Sequence, residues 1–391
     1  MKKISLLLVS IALLMSCQNE LYEDATEKYQ SELGVYIATN GILQSYVEEG
    51  KEVEIDGLKI SLSAKTNETV SASIITGRQE QLDAYNKKNE TSYVLLPKEM
   101  YEVDSEVTFE PLHTVAEPTI RLKNIKFSTE GNYALPIRVE GKNATAIGGQ
   151  QETLLVLEQR IVTKSLKMGG YGTSDNTMFP DDFKVPQWTM EAMIKRPRYI
   201  HDNQAICGTE LLPGSGAFDE IYPRFGDVTI NPNQLQIKTG SSQIDVPSNK
   251  FTASPNVWYM ISFVYDGKKT MIYVNGELVA DREIREGPYS LKGFWIGGAN
   301  DLIREVRFWS VARSPQQINE SLWKMVNPKA DGLLLYYPGN GKKFNPETNE
   351  VTEDETMIWD WSKNQKHLEL PRAATFDDNN GLGYTFPPVS N

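Results

Sequence analysis

The sequence predicts an all-β protein of two modules: a small N-terminal β-sandwich with one short helix, followed by a larger jelly-roll sandwich. Three observations predict it. Short apolar runs alternate with period two, as in Ile60-Ser61-Leu62-Ser63 and Val70-Ser71-Ala72-Ser73-Ile74, the signature of half-buried strands. Turn dipeptides separate such runs, and Asn275-Gly276 is the strongest of them because both residues tolerate the positive φ of a tight hairpin turn. All seven tryptophans lie at or beyond Trp188, which marks a change of composition between the modules near residue 160.

The chain opens with Met1-Lys2-Lys3, an apolar run Ile4–Met15, and Ser16-Cys17. A basic start and a short apolar core before a small residue describe an export signal, too short for a spanning helix. Residues 1–16 are therefore expected to be a signal peptide and residues 17–32, polar and poor in large aliphatics, a flexible tether. The first module is expected over 33–160, with strands near 106–109, 119–122 and 133–139. Its one helix, Arg78 to Glu90, carries Leu82 and Tyr85 on helical spacing. The second module is expected over 161–391. A three-stranded meander runs from Trp258 to Ala280 through Asp266-Gly267 and Asn275-Gly276, with further strands near 189–194, 233–238, 293–296 and 303–309. A second helix is expected over Ser314 to Met325, opened by a Ser-Pro cap.

A formal charge of −12 argues against nucleic acid and anionic lipid as partners, since both call for a basic stripe. Cys207 is the one cysteine besides Cys17, so an acylated Cys17 leaves no internal disulfide and stability must come from packed cores.

Three groups of residues carry family resemblances. Leu14-Met15-Ser16-Cys17 resembles a bacterial lipobox, which implies that Cys17 is acylated and becomes the first mature residue. Gln187–Ile194, Val257-Trp258-Tyr259-Met260, Tyr273-Val274-Asn275-Gly276, Glu305–Ser314 and Asp360-Trp361-Ser362-Lys363-Asn364 resemble, in order, the concanavalin A-like (laminin-G-like) jelly rolls. Ala84-Tyr85-Asn86-Lys87, Tyr93, Leu95-Leu96-Pro97, Tyr101 and Tyr133–Ile137 resemble a domain of unknown function at the start of Bacteroidetes surface lipoproteins. Together they imply a lipoprotein of the outer membrane, exposed at the cell surface and concerned with glycans. A fold does not name its ligand.

Candidate chemistry is sparse. Glu102, Asp104 and Glu106 alternate as the paired acids of a retaining glycosidase do, but Val107 and Phe109 hold the opposite parity, so the acids are expected to face water. His113, His201 and His367 have no metal-ligand spacing, and no Gly-x-Ser-x-Gly elbow marks a nucleophile. Cys207, in Ala205-Ile206-Cys207-Gly208, reads as a small core residue. No cofactor is called for. Calcium is a candidate through Asp175-Asn176, Asp181-Asp182 or Asp377–Gly381, but Arg304 stands where the jelly-roll family commonly has an acid, which counts against a family-type site.

Sugar binding needs exposed aromatic faces with polar groups beside them. Trp188, Trp258 and Trp309 sit within strand patterns and are expected in the core. The candidates are Tyr199 in the loop Arg198–Asn203, Asp219, Tyr222 and Arg224 at the end of a long Gly-rich connection from Thr209, and the Trp359/Trp361 pair. The expected function is non-catalytic glycan binding on the cell surface, within a glycan capture and utilisation system and beside other surface proteins of that system. A jelly-roll glycoside hydrolase and an adhesin or assembly protein that binds another polypeptide are the alternatives.

Overall fold

The computed structural model describes residues 33–388 apart from 40, 90, 92, 128–131, 213 and 215–218. Cys17 and the tether lie outside the described residues. The chain divides into two compact units between Arg160 and Ile161.

The first unit is built from strands that bury alternate residues. Its largest sheet runs in the order Leu43–Glu48, Glu152–Thr163, Tyr133–Gly141, Val70–Thr76, Glu106–Phe109. Two smaller sheets, one around Gly34–Ile37 and Ile60–Leu62 and one around Ile120–Leu122, supply the facing layer. Val35, Ile60, Phe109, Ile120, Leu135, Ile137 and Leu155 fill the space between. Thr153–Leu157 reads as a nearly continuous apolar run because both of its faces are covered. Leu155 and Leu157 join that core, while Leu154 and Val156 pack with Leu82 on the opposite face. Leu82 comes from the helix Gln79–Asn89, which matches the sequence expectation. Its burial is what holds so polar a helix to the sheet.

The second unit is a two-layer sandwich. The back sheet runs Glu277–Glu283, Lys269–Val274, Trp258–Tyr265, Trp188–Lys195, Leu302–Trp309, Ser165–Lys167, Thr375–Asp377, with Leu333–Tyr337 paired beside Leu302–Trp309. The front layer has two parts. One is Thr173–Asp175, Gly293–Ile296, Cys207–Glu210; the other is Gln204–Ala205, Ile221–Asp227, Ile230–Thr239, Ser242–Asp245. They adjoin where the Ile206 N–H donates to the Pro223 carbonyl at 3.0 Å. Between the layers lies a core of Trp188, Phe263, Phe308, Phe294, Phe225, Leu235 and Ile237, all essentially inaccessible to water. Each such aromatic or aliphatic side chain contributes about 1.5–3 kcal/mol by leaving water. The expected meander is present, and Asn275 and Gly276 take φ of 51° and 85°, the two positive values that a type I′ turn requires.

The second helix is shorter than its pattern. It spans Pro315–Glu320, opened by a capping box in which Ser314 and Gln317 satisfy each other's backbone N–H groups. The chain then leaves the helix, Trp323 adopting a φ of 60°, so that Leu322, Trp323 and Met325 pack on Met193, Trp258, Met260 and Phe386 behind the back sheet. Tertiary burial of these side chains overrides the helical pattern beyond Glu320.

Candidate functional site

The front layer of the second unit has an outer face with side chains suited to a ligand. Ile221, Phe225, Leu235, Ile237 and Ile244 enter the core, so strand alternation turns Tyr222, Arg224, Gln236, Lys238, Gln243 and Asp245 the other way. In the neighbouring strand Phe294 and Ile296 point inward and Trp295 outward.

Gly208 brings the two aromatic residues together. It is paired directly with Trp295 and lies next to the Tyr222 strand. A Cβ at Gly208 would come within 2.4 Å of Trp295 Cζ2 and 2.7 Å of Tyr222 Cβ, so only glycine lets the rings close over it. The ring centroids stand 5.9 Å apart with planes tilted by 52°. Both rings are partly exposed.

Beside this pair the polar groups are fixed in advance. The Arg224 guanidinium carbon lies 5.8 Å from the Tyr222 centroid, and its Nε donates to Gln236 Oε1 at 2.6 Å, its Nη2 to Asp227 Oδ2 at 2.5 Å and its Nη1 to Asn203 Oδ1. Gln236, itself fully buried, donates to Asp227 Oδ2 at 3.1 Å and Asp245 Oδ1 at 2.6 Å. Lys238 Nζ donates to Gln243 Oε1 at 3.3 Å. Burial, with Glu220 nearby, raises the Tyr222 phenol, which stays neutral and can donate. Gln243 and Asp245 also line an open cleft of 470 Å³ with Asp281 and Arg282. Partly exposed aromatic rings next to polar side chains held by a hydrogen-bond network suit a flat, hydroxylated molecule.

The six ligand-binding residues expected from sequence do not form one site. Tyr222 and Arg224 share the outer face described above, but from within a strand, not from a loop: Cys207–Glu210 and Ile221–Asp227 shorten the expected connection. Tyr199 turns inward and meets Phe225 edge-on at 5.0 Å, its buried hydroxyl unpaired and raised by burial. Asp219 is spent on Arg285 at 2.6 Å, whose guanidinium covers the Tyr289 ring. Trp361 is 4% exposed in a cluster with Trp309, Tyr336 and Phe344, so it has no face for a ligand. Trp359 donates to the Asp354 carbonyl at 3.0 Å, stacks edge-on with His367 and lies under the Lys343 ammonium. Asp360 between them is a structural corner: burial pushes it up to about 7, while hydrogen bonds from Tyr336, Ser362 and Lys366 pull the other way. Trp295 and Gly208 were missed. Trp295 lay in a recognised strand, yet its facing depends on a single register step.

The other chemical candidates resolve as structure. Glu102 and Glu106 lie on strands of different sheets, and each is paired with a lysine, Lys123 and Lys142; Asp104 accepts from the Thr119 N–H at 3.0 Å. The hydrogen bond from Lys123 lowers the Glu102 carboxyl, the opposite of what a general acid needs. Cys207 is wholly buried, and its thiol is raised by that burial. His113 and His201 are exposed, and His367 accepts from the Asp360 N–H at 3.1 Å. Among the described residues no group of three or more His, Cys, Asp and Glu side chains converges as metal ligands. Asp175 accepts from Thr177, Asp181 is paired with Lys292, and Asp377 accepts from Tyr384 at 2.7 Å.

Behind the back sheet lies a buried ionic cluster. Glu191 accepts from Arg313 at 2.9 Å, from Trp309 Nε1 at 2.9 Å and from Arg307 at 3.4 Å; Glu305 accepts from Arg307 at 2.7 Å, Tyr336 at 2.8 Å and Arg304 at 3.0 Å. Glu305 is the extra residue of a bulge opposite Trp188–Lys195 and holds a left-handed φ of 49°, which aims its carboxylate into the cluster. Glu191 and Glu305 are fully buried and saturated by arginine and tyrosine. They offer a substrate nothing.

Residues 169–319 match the model of the Concanavalin A-like lectin/glucanases superfamily, and residues 28–145 match a model described as an N-terminal domain. A crystal structure from Bacteroides ovatus, provisionally described as a carbohydrate binding protein, aligns at 22% identity over 88% of this chain and 97% of its own, with a TM-score of 0.55. A heptameric SAP-like pentraxin from Limulus polyphemus aligns at 15% identity over 41% of this chain and 82% of its own, with a TM-score of 0.33. A comparison with curated proteins finds no match. The expected all-β architecture with a concanavalin A-like second module holds.

Proposed function

We propose that this chain is a non-catalytic glycan-binding lipoprotein, anchored by acylated Cys17 in the outer membrane and exposed at the cell surface as part of a glycan capture system. The observation that carries the binding reading is the Trp295–Tyr222 pair closed over Gly208, beside the fixed Asn203–Arg224–Gln236 network. The description of the Bacteroides ovatus relative agrees with it. Glu191 and Glu305 are sealed and cannot serve as paired glycosidase carboxylates, which must reach the substrate. The test is retention of the soluble form starting after Cys17 in gels loaded with individual polysaccharides. Wild type is retarded by at least one, Trp295→Ala weakens that affinity by about tenfold or more, a change of ~1.4 kcal/mol, and no reducing ends are released. Turnover would establish the hydrolase instead, and a protein partner without any glycan affinity would establish the adhesin.

A further inference from the structure

We infer that the Trp295–Tyr222 face takes a neutral glycan and turns away anionic ones, an inference that rests on the binding function proposed above. A uronate or sulfate is held by a guanidinium or ammonium with free donors, most effectively by the two-pronged fork of an arginine. Arg224 stands in the right place, between the aromatic pair and the cleft, but one N–H of each of its three nitrogens is committed to Gln236, Asn203 and Asp227 and the residue is only 9% exposed, so it presents little of its fork to a ligand. The commitment is to a carboxylate and two amide oxygens held by the sheet and its turn, so releasing the guanidinium would take its partner from the half-buried Asp227 carboxylate. Around it the outer face is acidic. Asp227 and Asp245 flank Gln236, Glu210 shares strand parity with Gly208, and Glu220, just before the Ile221–Asp227 strand, lies near the Tyr222 phenol. The cations that remain are Lys238, already donating to Gln243, and Arg282 at the cleft rim, which donates to the Gln243 carbonyl at 3.2 Å. An anionic sugar here would lose water and meet carboxylates. The hydroxyls of a neutral sugar would donate to Asp245 and Asp227 and accept from Lys238, Gln243 and the Tyr222 phenol.

The test uses the soluble form in affinity gels of two sets, neutral (starch, galactomannan, arabinan, xyloglucan) and anionic (polygalacturonate, chondroitin sulfate, heparin). Expected are retardation by a neutral polymer, its loss in Trp295→Ala and Tyr222→Ala with unfolding temperatures near wild type, and an affinity that stays flat between about 0.05 and 0.5 M salt. Retardation by an anionic polymer that falls with salt and is abolished by Lys238→Glu overturns the inference and leaves the binding function standing. Retardation that neither aromatic variant alters removes the ligand from this face, and retardation by no polymer overturns the binding function and this inference with it.

Discussion

At the scale of single residues, the second unit spends its charged side chains on architecture. Burial alone would raise the Glu191 carboxyl above its ordinary 4.5, but Arg313 and Arg307 outweigh it and hold it lower. The folded state therefore binds this proton less tightly than the unfolded chain. The stability it contributes is complete above the unfolded value and is lost as the pH falls through the lower folded value. Glu191→Gln leaves Arg307 and Arg313 short of a counter-charge and is expected to cost about 3–5 kcal/mol in urea unfolding near neutral pH, with the deficit shrinking in acid. A deficit independent of pH would show that the charge is not what matters. Cys207, wholly buried with its thiol raised, should stay unlabelled by iodoacetamide in the folded soluble form and react at once in denaturant.

At the scale of elements, glycine decides two close approaches. Gly276 holds a φ of 85° at the Lys269–Val274 hairpin, and a Cβ there would come within 2.1 Å of Asn319 Oδ1 in the second helix. Gly276→Ala is expected to lower stability by about 1–2 kcal/mol from backbone strain alone, read as a shifted denaturation midpoint. Gly208 acts on the candidate site instead. Gly208→Val would push Trp295 and Tyr222 apart, and glycan retention should fall as far as in Trp295→Ala while the core residue Cys207 beside it remains protected from alkylation. Both glycines sit in strand or turn patterns that composition alone reads as punctuation.

At the scale of the whole molecule, the proposed anchor changes what weak binding can accomplish. A tethered binder meets ligand repeatedly near one surface, so multivalent contact with a polymer compensates for modest affinity at each site. Cys17→Ser is expected to move the protein from the membrane fraction to the soluble periplasmic or secreted fraction, with the described fold unchanged by circular dichroism. Membrane retention of that variant would refute lipidation as the anchor. A bound polysaccharide should also raise the unfolding temperature of the soluble form, since a ligand that binds only the folded state stabilises it by mass action.

Local chemistry settled much of this protein in advance. Period-two patterning, the Asn275-Gly276 turn and the crowding of tryptophans after Trp188 are short-range signals, and they carried the all-β class, the meander and the core positions of Trp188, Trp258 and Trp309. The candidate site was legible only in part. Tyr222 and Arg224 were found through their proximity to a glycine-rich connection, while Tyr199 and Trp361 were drawn to the core by aromatic neighbours far away in sequence, Phe225 and Phe344. Trp295 became visible only in the tertiary structure. Its outward facing follows from strand register, and its partnership with Tyr222 from the bare Cα of Gly208, 87 positions earlier by its number and adjacent in the sheet. Sequence carries the propensity of each strand, but the face a side chain presents and the side chain it meets there are fixed by pairing between strands, and that pairing exists only once the sheet has formed.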